Sequence, residues 1–600
     1  MQYAPVLPVV IPLFAAALLA ALSKLLPQRV ALGLSLLATA ATTAASTFLL
    51  RASLSNTVVY WFGGWSAHGG KTLGISFAID PIGAGLAAFA GLLTFLSLLF
   101  SAKYFDAADN YFYALTLAFL AGMSGFTLTG DMFNLFVFFE LMSAAAFGLC
   151  GLKTEDPSSL QGSVNFAVTN TIGAYLVLTG IALLYARTSA LNMAQMGQTL
   201  ARTPADKLVM AAFAFIVCGY LVKAAVVPFH FWLADAHAVA PTPICVLFSG
   251  VMVEMGLYAV ARIYWTVFDP SLHPFLPHLR ILFVAVGVAT MVVGGIECYS
   301  QRNIKRLLAF STISHMGLMT VGVGLFNVAG LAGTAIYTLG HGLVKGSLFL
   351  GSGILLHRTK TVDESELHGR GRRMKWAGIV FFLGAAGLAG IFPSGLSMGD
   401  DLIHESAKQI GVEWLKWVSF FAAGITAAAV FRVAVRVFLG WGSPASHQRG
   451  AAPKEKEKPE TESGHDRTPV WMWAPAVAMV LGGLLIGFAP GLKPGTLRAA
   501  SRFEDANTYA ARVLQGTPVH SSAPEEEKTQ EPWVGLFILA AAAIISLANV
   551  KSKGFRESVK PLIAPLRALH RLHSGHVGDY VAFLTFGLAA FGLVCIFTFR

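Results

Sequence analysis

Apolar runs of close to 20 residues recur along almost the whole chain, separated by short polar or basic breaks. A run of that length crosses a hydrocarbon core of ~30 Å as an α-helix, and a helix satisfies its own backbone polar groups in lipid. The pattern predicts about 16 spanning helices, near 4–22, 29–50, 75–101, 111–129, 132–151, 163–186, 208–229, 243–267, 280–298, 304–326, 329–357, 376–408, 414–440, 470–489, 532–549 and 578–598. No basic segment precedes the first run, so it is expected to be a retained span and not a cleaved signal peptide. The expected fold class is an all-α polytopic membrane protein.

Two of the runs are interrupted by proline. YLVKAAVVPFHFWLADAH carries Pro228 just past Lys223, and GLAGIFPSGLSMGDDLI carries Pro393 and Gly395 just before Asp400. Proline removes a backbone hydrogen bond and opens a helix, and matched broken helices in two halves point to an inverted-repeat transporter.

The polar stretches divide the chain. Residues 442–469 are charged and poor in bulky hydrophobes, a composition that predicts a disordered cytoplasmic linker. Before it lies the membrane core, 1–441. After it, 470–600 holds three more spans, an external loop over 490–531 and a short basic amphipathic segment over 551–572, expected to be solvated or interfacial.

Composition agrees with the pattern. The chain is 55% hydrophobic and 12% charged, with mean hydropathy +0.64, where a soluble chain carries about twice that charged fraction. The net charge of +11 sits largely in loops and does not point to nucleic acid. Lys24 and Arg29 follow the first span, Arg302, Lys305 and Arg306 the ninth, Arg370, Arg372, Arg373 and Lys375 the eleventh, and Lys551 and Lys553 the fifteenth. The positive-inside rule makes the loops after odd-numbered spans cytoplasmic, with both termini outside a bacterial cell membrane. Cys150, Cys218, Cys245, Cys298 and Cys595 are scattered and form no metal or haem spacing.

The candidate chemistry lies in ionisable residues inside the apolar runs: Glu140, Lys223, Glu254, His315, His341, Lys345 and Asp400. A charge at mid-bilayer costs at least ~2.5–3.5 kcal/mol, so such residues face the protein interior and mark an ion or proton route. Their spread over successive helices predicts a relay in place of a single pocket. His341 and Lys345, four apart, share one helical face. His230, Asp235 and His237, past Pro228, are expected chiefly to hold their loop. No nucleotide loop, cysteine cluster or metal spacing is present in the sequence, so neither cofactor nor metal is expected.

The segments FNLFVFFELMS, LVKAAVVPFHFWLADAHAVAPTP, QRNIKRLLAFSTISHMG and HGLVKGSLF occur in that order. Together they resemble the antiporter-like subunits of respiratory complex I, of Mrp-type cation/proton antiporters and of membrane-bound hydrogenase and formate hydrogenlyase complexes. The resemblance covers roughly residues 75–440. It implies a 14-helix core with two inverted five-helix repeats, roughly 111–267 and 280–440, and a proton path in which Glu140 and Lys223 form a switchable ion pair. It also implies that His341, Lys345 and His315 belong to the central relay. Two positions depart from many relatives, which carry lysine where this chain has Glu254 and Asp400. Carboxylates there leave room for sodium as well as protons. The resemblance implies a proton-translocating subunit of a complex I-like or hydrogenase-like oxidoreductase, with redox chemistry on other membrane subunits. The alternatives are an Mrp-type cation/proton antiporter subunit and, third, a partner for inorganic-carbon uptake.

Overall fold

The computed structural model describes residues 3–105, 110–203, 205–442, 467–515, 533–552 and 573–598. Most of the expected linker and basic segment, and residues 516–532 of the expected external loop, lie outside the described residues. Helices α1 (Leu7–Ala21) and α2 (Gln28–Ser53) lead into an antiparallel hairpin, β1 (Val58–Trp61) and β2 (Ser76–Ile79). Sequence reading expected a helix from 75. The helix, α3 (Pro81–Ser101), begins later because Asp80 accepts hydrogen bonds from the Ile82 and Gly83 N–H groups and Pro81 fixes the first turn.

A first group of helices follows: α4 (Asn110–Leu128), α5 (Met132–Cys150), α6 (Pro157–Thr188), the short α7 (Met193–Leu200), α8 (Lys207–Lys223), α9 (Phe231–Val239), α10 (Thr242–Leu247) and α11 (Val253–Ile263). A corner containing α12 (Asp269–Leu272) opens the second group: α13 (Leu276–Ser300), α14 (Ile304–Gly324), α15 (Val328–Thr359), α16 (Lys375–Leu388), α17 (Gly395–Gln409) and α18 (Leu415–Ala434). Finally come α19 (Val470–Leu485), α20 (Leu492–Glu504), α21 (Ala506–Gln515), α22 (Trp533–Lys551) and α23 (Val577–Thr598).

Among the described residues, 13 helices are long and apolar enough to cross a membrane. The difference from the expected number has a physical origin. Thr242–Ser300 is one helical stretch of 59 residues, which at 1.5 Å per residue is roughly 90 Å, too long for one crossing. Its exposed corner at His273–Pro274 divides it into the two expected spans. The other two missing spans are the broken ones, α8 with α9 and α16 with α17, each piece too short alone. The loop expected over 490–531 begins instead with α20 and α21, amphipathic helices that bury Leu497, Ala500, Phe503, Tyr509 and Val513.

The two groups repeat one another in detail. α6 and α15 are both 32 residues long; Asp156 and Asn327 cap their starts, and Ser189 and Lys360 end them at left-handed φ of 52° and 62°. Asp131 caps α5 and Asn303 caps α14, each bridged to the strand-like residue after the next helix, Asn192 and Asp363. The breaks also match. Val226 N–H donates to Leu221 O and Phe229 N–H to Val226 O; Ile391 N–H donates to Ala386 O and Ser394 N–H to Ile391 O. A cis peptide precedes Pro228 and Pro393 alike. Each group ends in a π-turn, Tyr264–Phe268 and Val435–Leu439. Five spans is an odd number, so the second repeat enters from the opposite face. α14 and α15 are the centre of the bundle, with 100% and 94% of their spanning windows buried.

Candidate functional site

In the first repeat the break places Lys223 at the last turn of α8, fully buried. Its ammonium donates to Ser143 Oγ at 3.1 Å and lies 5.2 Å and 5.7 Å from the ring centres of Phe139 and Phe166. Aromatic faces attract a cation without neutralising it. The opened end of the helix is closed by Trp232, whose indole N–H donates to Val222 O at 2.9 Å. Glu140, three residues before Ser143 on α5, is half-buried. No ion pair joins it to Lys223 among the described residues, so the structure shows the pair apart.

A connected polar track runs from Glu254 on α11, in the last span of the first repeat, into the second repeat. Glu254 Oε1 lies 2.8 Å from His341 Nδ1, and both side chains are buried. The His341 ring centre is 5.3 Å from that of His315. His315 Nδ1 lies 2.5 Å from the Tyr337 hydroxyl, and its Nε2 lies 3.4 Å from Thr426 Oγ1. His315, Tyr337, Ser314, Ser397, Asp400 and Ser419 line a cavity of about 30 Å³, room for water in a polar site. Asp400 is 3.3 Å from His404, and His404 Nε2 is 2.7 Å from Ser419 Oγ. Lys345 is buried beside this track and donates to Leu308 O at 2.8 Å. Spare valences remain: Glu254 Oε2 and His341 Nε2 are buried without a hydrogen-bond partner, and Asp400 Oδ1 meets His404 without hydrogen-bond geometry. A buried polar atom without a partner is costly, which favours a proton or water visiting it.

The structure thus brings together Glu254, His315, His341 and Asp400, places Lys345 beside them, and leaves Glu140 and Lys223 as a separate pair of stations. Sequence reasoning missed Tyr337, His404 and Ser143. The first two carried a signal: Tyr337, His341 and Lys345 recur every fourth residue, and His404 follows Asp400 by four, so each set shares a helical face. Ser143 gave none, because a lone serine in an apolar run has no distinguishing pattern.

Past Pro228, Asp235 is held by polar contacts, whereas the ring nitrogens of His230 and His237 are buried with no hydrogen-bond partner among the described residues, so these two histidines only pack, contrary to expectation. Asp235 lies 3.0 Å from Arg306 and accepts from the Tyr580 hydroxyl at 2.6 Å. His237 stacks on Phe349 at 4.6 Å. His230 packs on Phe231 and against His573. Lys305, counted among the loop charges, is instead buried in α14 and donates to Ala240 O. The C-terminal helices brace both breaks. A Cβ on Gly587 of α23 would meet Pro228 Cγ at 2.6 Å, and one on Gly535 of α22 would collide with Gly390 O. Pro393 O accepts from Gly487 N–H at 3.0 Å.

Residues 129–426 match the family described as NADH:quinone oxidoreductase/Mrp antiporter, transmembrane. The NADH-quinone oxidoreductase subunit N of Desulforudis audaxviator is 30% identical over 494 residues, which cover 80% of this chain and 95% of that one. The chain belongs to this family. Another relative, a Na(+)/H(+) antiporter subunit of Bacillus subtilis, is 28% identical over 518 residues, 85% of this chain and 99% of that protein. Among solved structures, the Mrp complex of Dietzia sp. contains a chain that superposes with a TM-score of 0.75 at 26% identity, covering 86% of this chain and all of that one. As a member of the NADH:quinone oxidoreductase/Mrp antiporter family, the chain is a multi-pass integral membrane protein, and the family region spans both broken helices and every residue of the track from Glu254 to Thr426.

Proposed function

We propose that this chain is the proton-translocating membrane subunit of a larger redox complex of the complex I or hydrogenase kind. The observation that carries the reading is the track from Glu254 through His341, His315 and Tyr337 to Asp400 and His404. Its members exchange protons readily, lie within hydrogen-bond or one-water reach of one another, and sit in the buried centre of the bundle. Lys223 gates entry in the first repeat: it holds a proton while Glu140 is near and releases it when the carboxylate swings away, because burial disfavours the charged amine.

Glu140 supports an assembly. It lies half-buried on the α5 face that also exposes Phe133 and Val137, each 43% accessible. A carboxylate facing lipid is costly, so a neighbouring membrane subunit covers this face. The basic loops support a cytoplasmic side after odd-numbered spans and external termini in a bacterial cell membrane. A second reading, an Mrp-type cation/proton antiporter subunit, is favoured by the near full-length match to the Bacillus subtilis antiporter protein.

The test is purification of the intact complex, identification of its subunits, and measurement of proton uptake into vesicles driven by its redox substrate. A redox partner with coupled proton movement is the expected result. Cation-dependent proton exchange without a redox subunit selects the second reading, and no proton movement with either drive overturns both.

A further inference from the structure

A second cavity, of about 710 Å³, opens between α2, α3, α11, α15 and α20. It falls in the size range of pockets that hold small organic ligands. Its wall is greasier than its residue names imply. Thr43, Thr47, Thr334 and Thr496 each donate their hydroxyl to the carbonyl four residues earlier at 2.8 Å, and Tyr258 donates to Thr127 O at 2.7 Å. These groups therefore offer methyl groups and ring faces, and among the described residues the one anionic side chain reaching the cavity is Glu254 at its inner end.

The outer end differs. Arg51 and Arg498 line the cavity and are both exposed. Arg51 lies in the last turn of the α2 span, the depth of the headgroups for a helix crossing a bilayer. One turn past Arg498, Arg502 donates to Ser53 O at 3.3 Å and ties α20 to the end of α2. The rim is thus a pair of guanidinium groups above an apolar chamber.

We propose that this cavity is a phospholipid site, taking one acyl chain inside and an anionic phosphate headgroup at Arg51 and Arg498. A single guanidinium binds phosphate through two parallel N–H···O bonds, and burial of each CH2 adds ~0.8 kcal/mol. Arg498 donates its Nε–H to Pro494 O at 3.3 Å, and an uncharged amphiphile would satisfy the chamber but leave both rim guanidinium groups without an anion. The lipid would fill the lateral side of Glu254, away from the histidine that the carboxylate meets.

The purified complex is exchanged into micelles containing phosphatidylglycerol, and retained lipid is counted by mass spectrometry of the intact assembly. This readout does not depend on transport, so it stands or falls separately from the proton reading. A Cβ at Gly85 meets only Leu50 Cδ1, at 3.9 Å, so Gly85→Leu fills the chamber without a backbone clash. Gly85→Leu is expected to remove one retained phosphatidylglycerol. Arg51→Glu with Arg498→Glu, both on the surface, is expected to weaken its retention by roughly tenfold or more. Equal retention by wild type and by the rim variant overturns the proposal, whether or not Gly85→Leu folds. So does retention of phosphatidylcholine equal to that of phosphatidylglycerol, or recovery of an isoprenoid quinone in place of phospholipid.

Discussion

The two repeats share a backbone and divide the chemistry. Matching α6 to α15 by their caps puts Phe166 opposite Tyr337, Asn170 opposite His341 and Ala174 opposite Lys345. Matching α5 to α14 puts Ser143 opposite His315. Matching the breaks puts Lys223 opposite Leu388 and Asp235 opposite Asp400. In the first repeat, one lysine amine sits between aromatic rings, and the aspartate past the break is consumed by Arg306 and Tyr580. In the second, the lysine of the break is absent, two histidines and a tyrosine occupy the equivalent positions, and the aspartate faces a small polar cavity. The same scaffold therefore holds a single buried lysine on one side and a chain of histidine, tyrosine and carboxylate groups on the other. A relay needs both: a station whose charge can be controlled, and a conductor.

The comparison is broken most severely at Lys223. Lys223→Met keeps the length of the side chain and removes the proton; it should lower proton flux by roughly 10²-fold or more with assembly intact. Near-normal flux in reconstituted vesicles would detach the first repeat from the path. Next comes Asp400. Asp400→Asn is expected to cost roughly tenfold or more in flux, while Asp400→Lys, the residue of many relatives, should recover part of it if protons are carried. Loss of sodium dependence with retained proton flux would mark a cation site instead.

A smaller effect tests the opposite aspartate. Asp235→Asn should leave flux nearly unchanged and lower thermal stability, since it removes charge from two hydrogen bonds worth ~1.5–3 kcal/mol each at most; a flux defect equal to that of Asp400→Asn would erase the distinction between the breaks. The least effect concerns α20 and α21. Burial, with the Asp269 carboxylate adding to it, raises the Glu504 carboxyl to about 8. A raised carboxyl stabilises docking below the unfolded value of ~4.3 and loses that contribution as pH rises toward the folded value. Amide exchange in 492–515, corrected for its intrinsic pH dependence, should therefore speed up between about pH 4.3 and 8, and Glu504→Gln should flatten the trend. A pH-independent profile in the wild type would contradict it.

Hydropathy made the spans legible because lipid imposes one requirement on every one of them: a long apolar helix. The breaks were legible because proline is a local and unambiguous signal. The hairpin at 58–79 and the helices α20 and α21 were not, since they lie outside the lipid, where short amphipathic segments carry weak patterns. Among the candidate site residues, charged groups stood out against apolar runs, and so Glu254, His341 and Asp400 were singled out. Which of them touch was not readable: the Glu254–His341 contact joins α11 to α15, 87 residues apart, and nothing in either segment encodes the distance. The buried Arg262–Asp80 pair, capped by the Phe503 ring at 3.7 Å, escaped for the same reason. Arg262 sits near a span end, where basic residues are ordinarily solvated.

Protons are predicted to pass from Glu254 into the second repeat through His341. His341→Asn places there the residue that the first repeat has at Asn170; it keeps a donor for Glu254 and removes the exchangeable ring. Proton uptake by vesicles containing the intact complex, measured with a pH-sensitive dye, is predicted to fall to the leak rate while the complex remains assembled. Uptake at the wild-type rate would show that the path runs elsewhere.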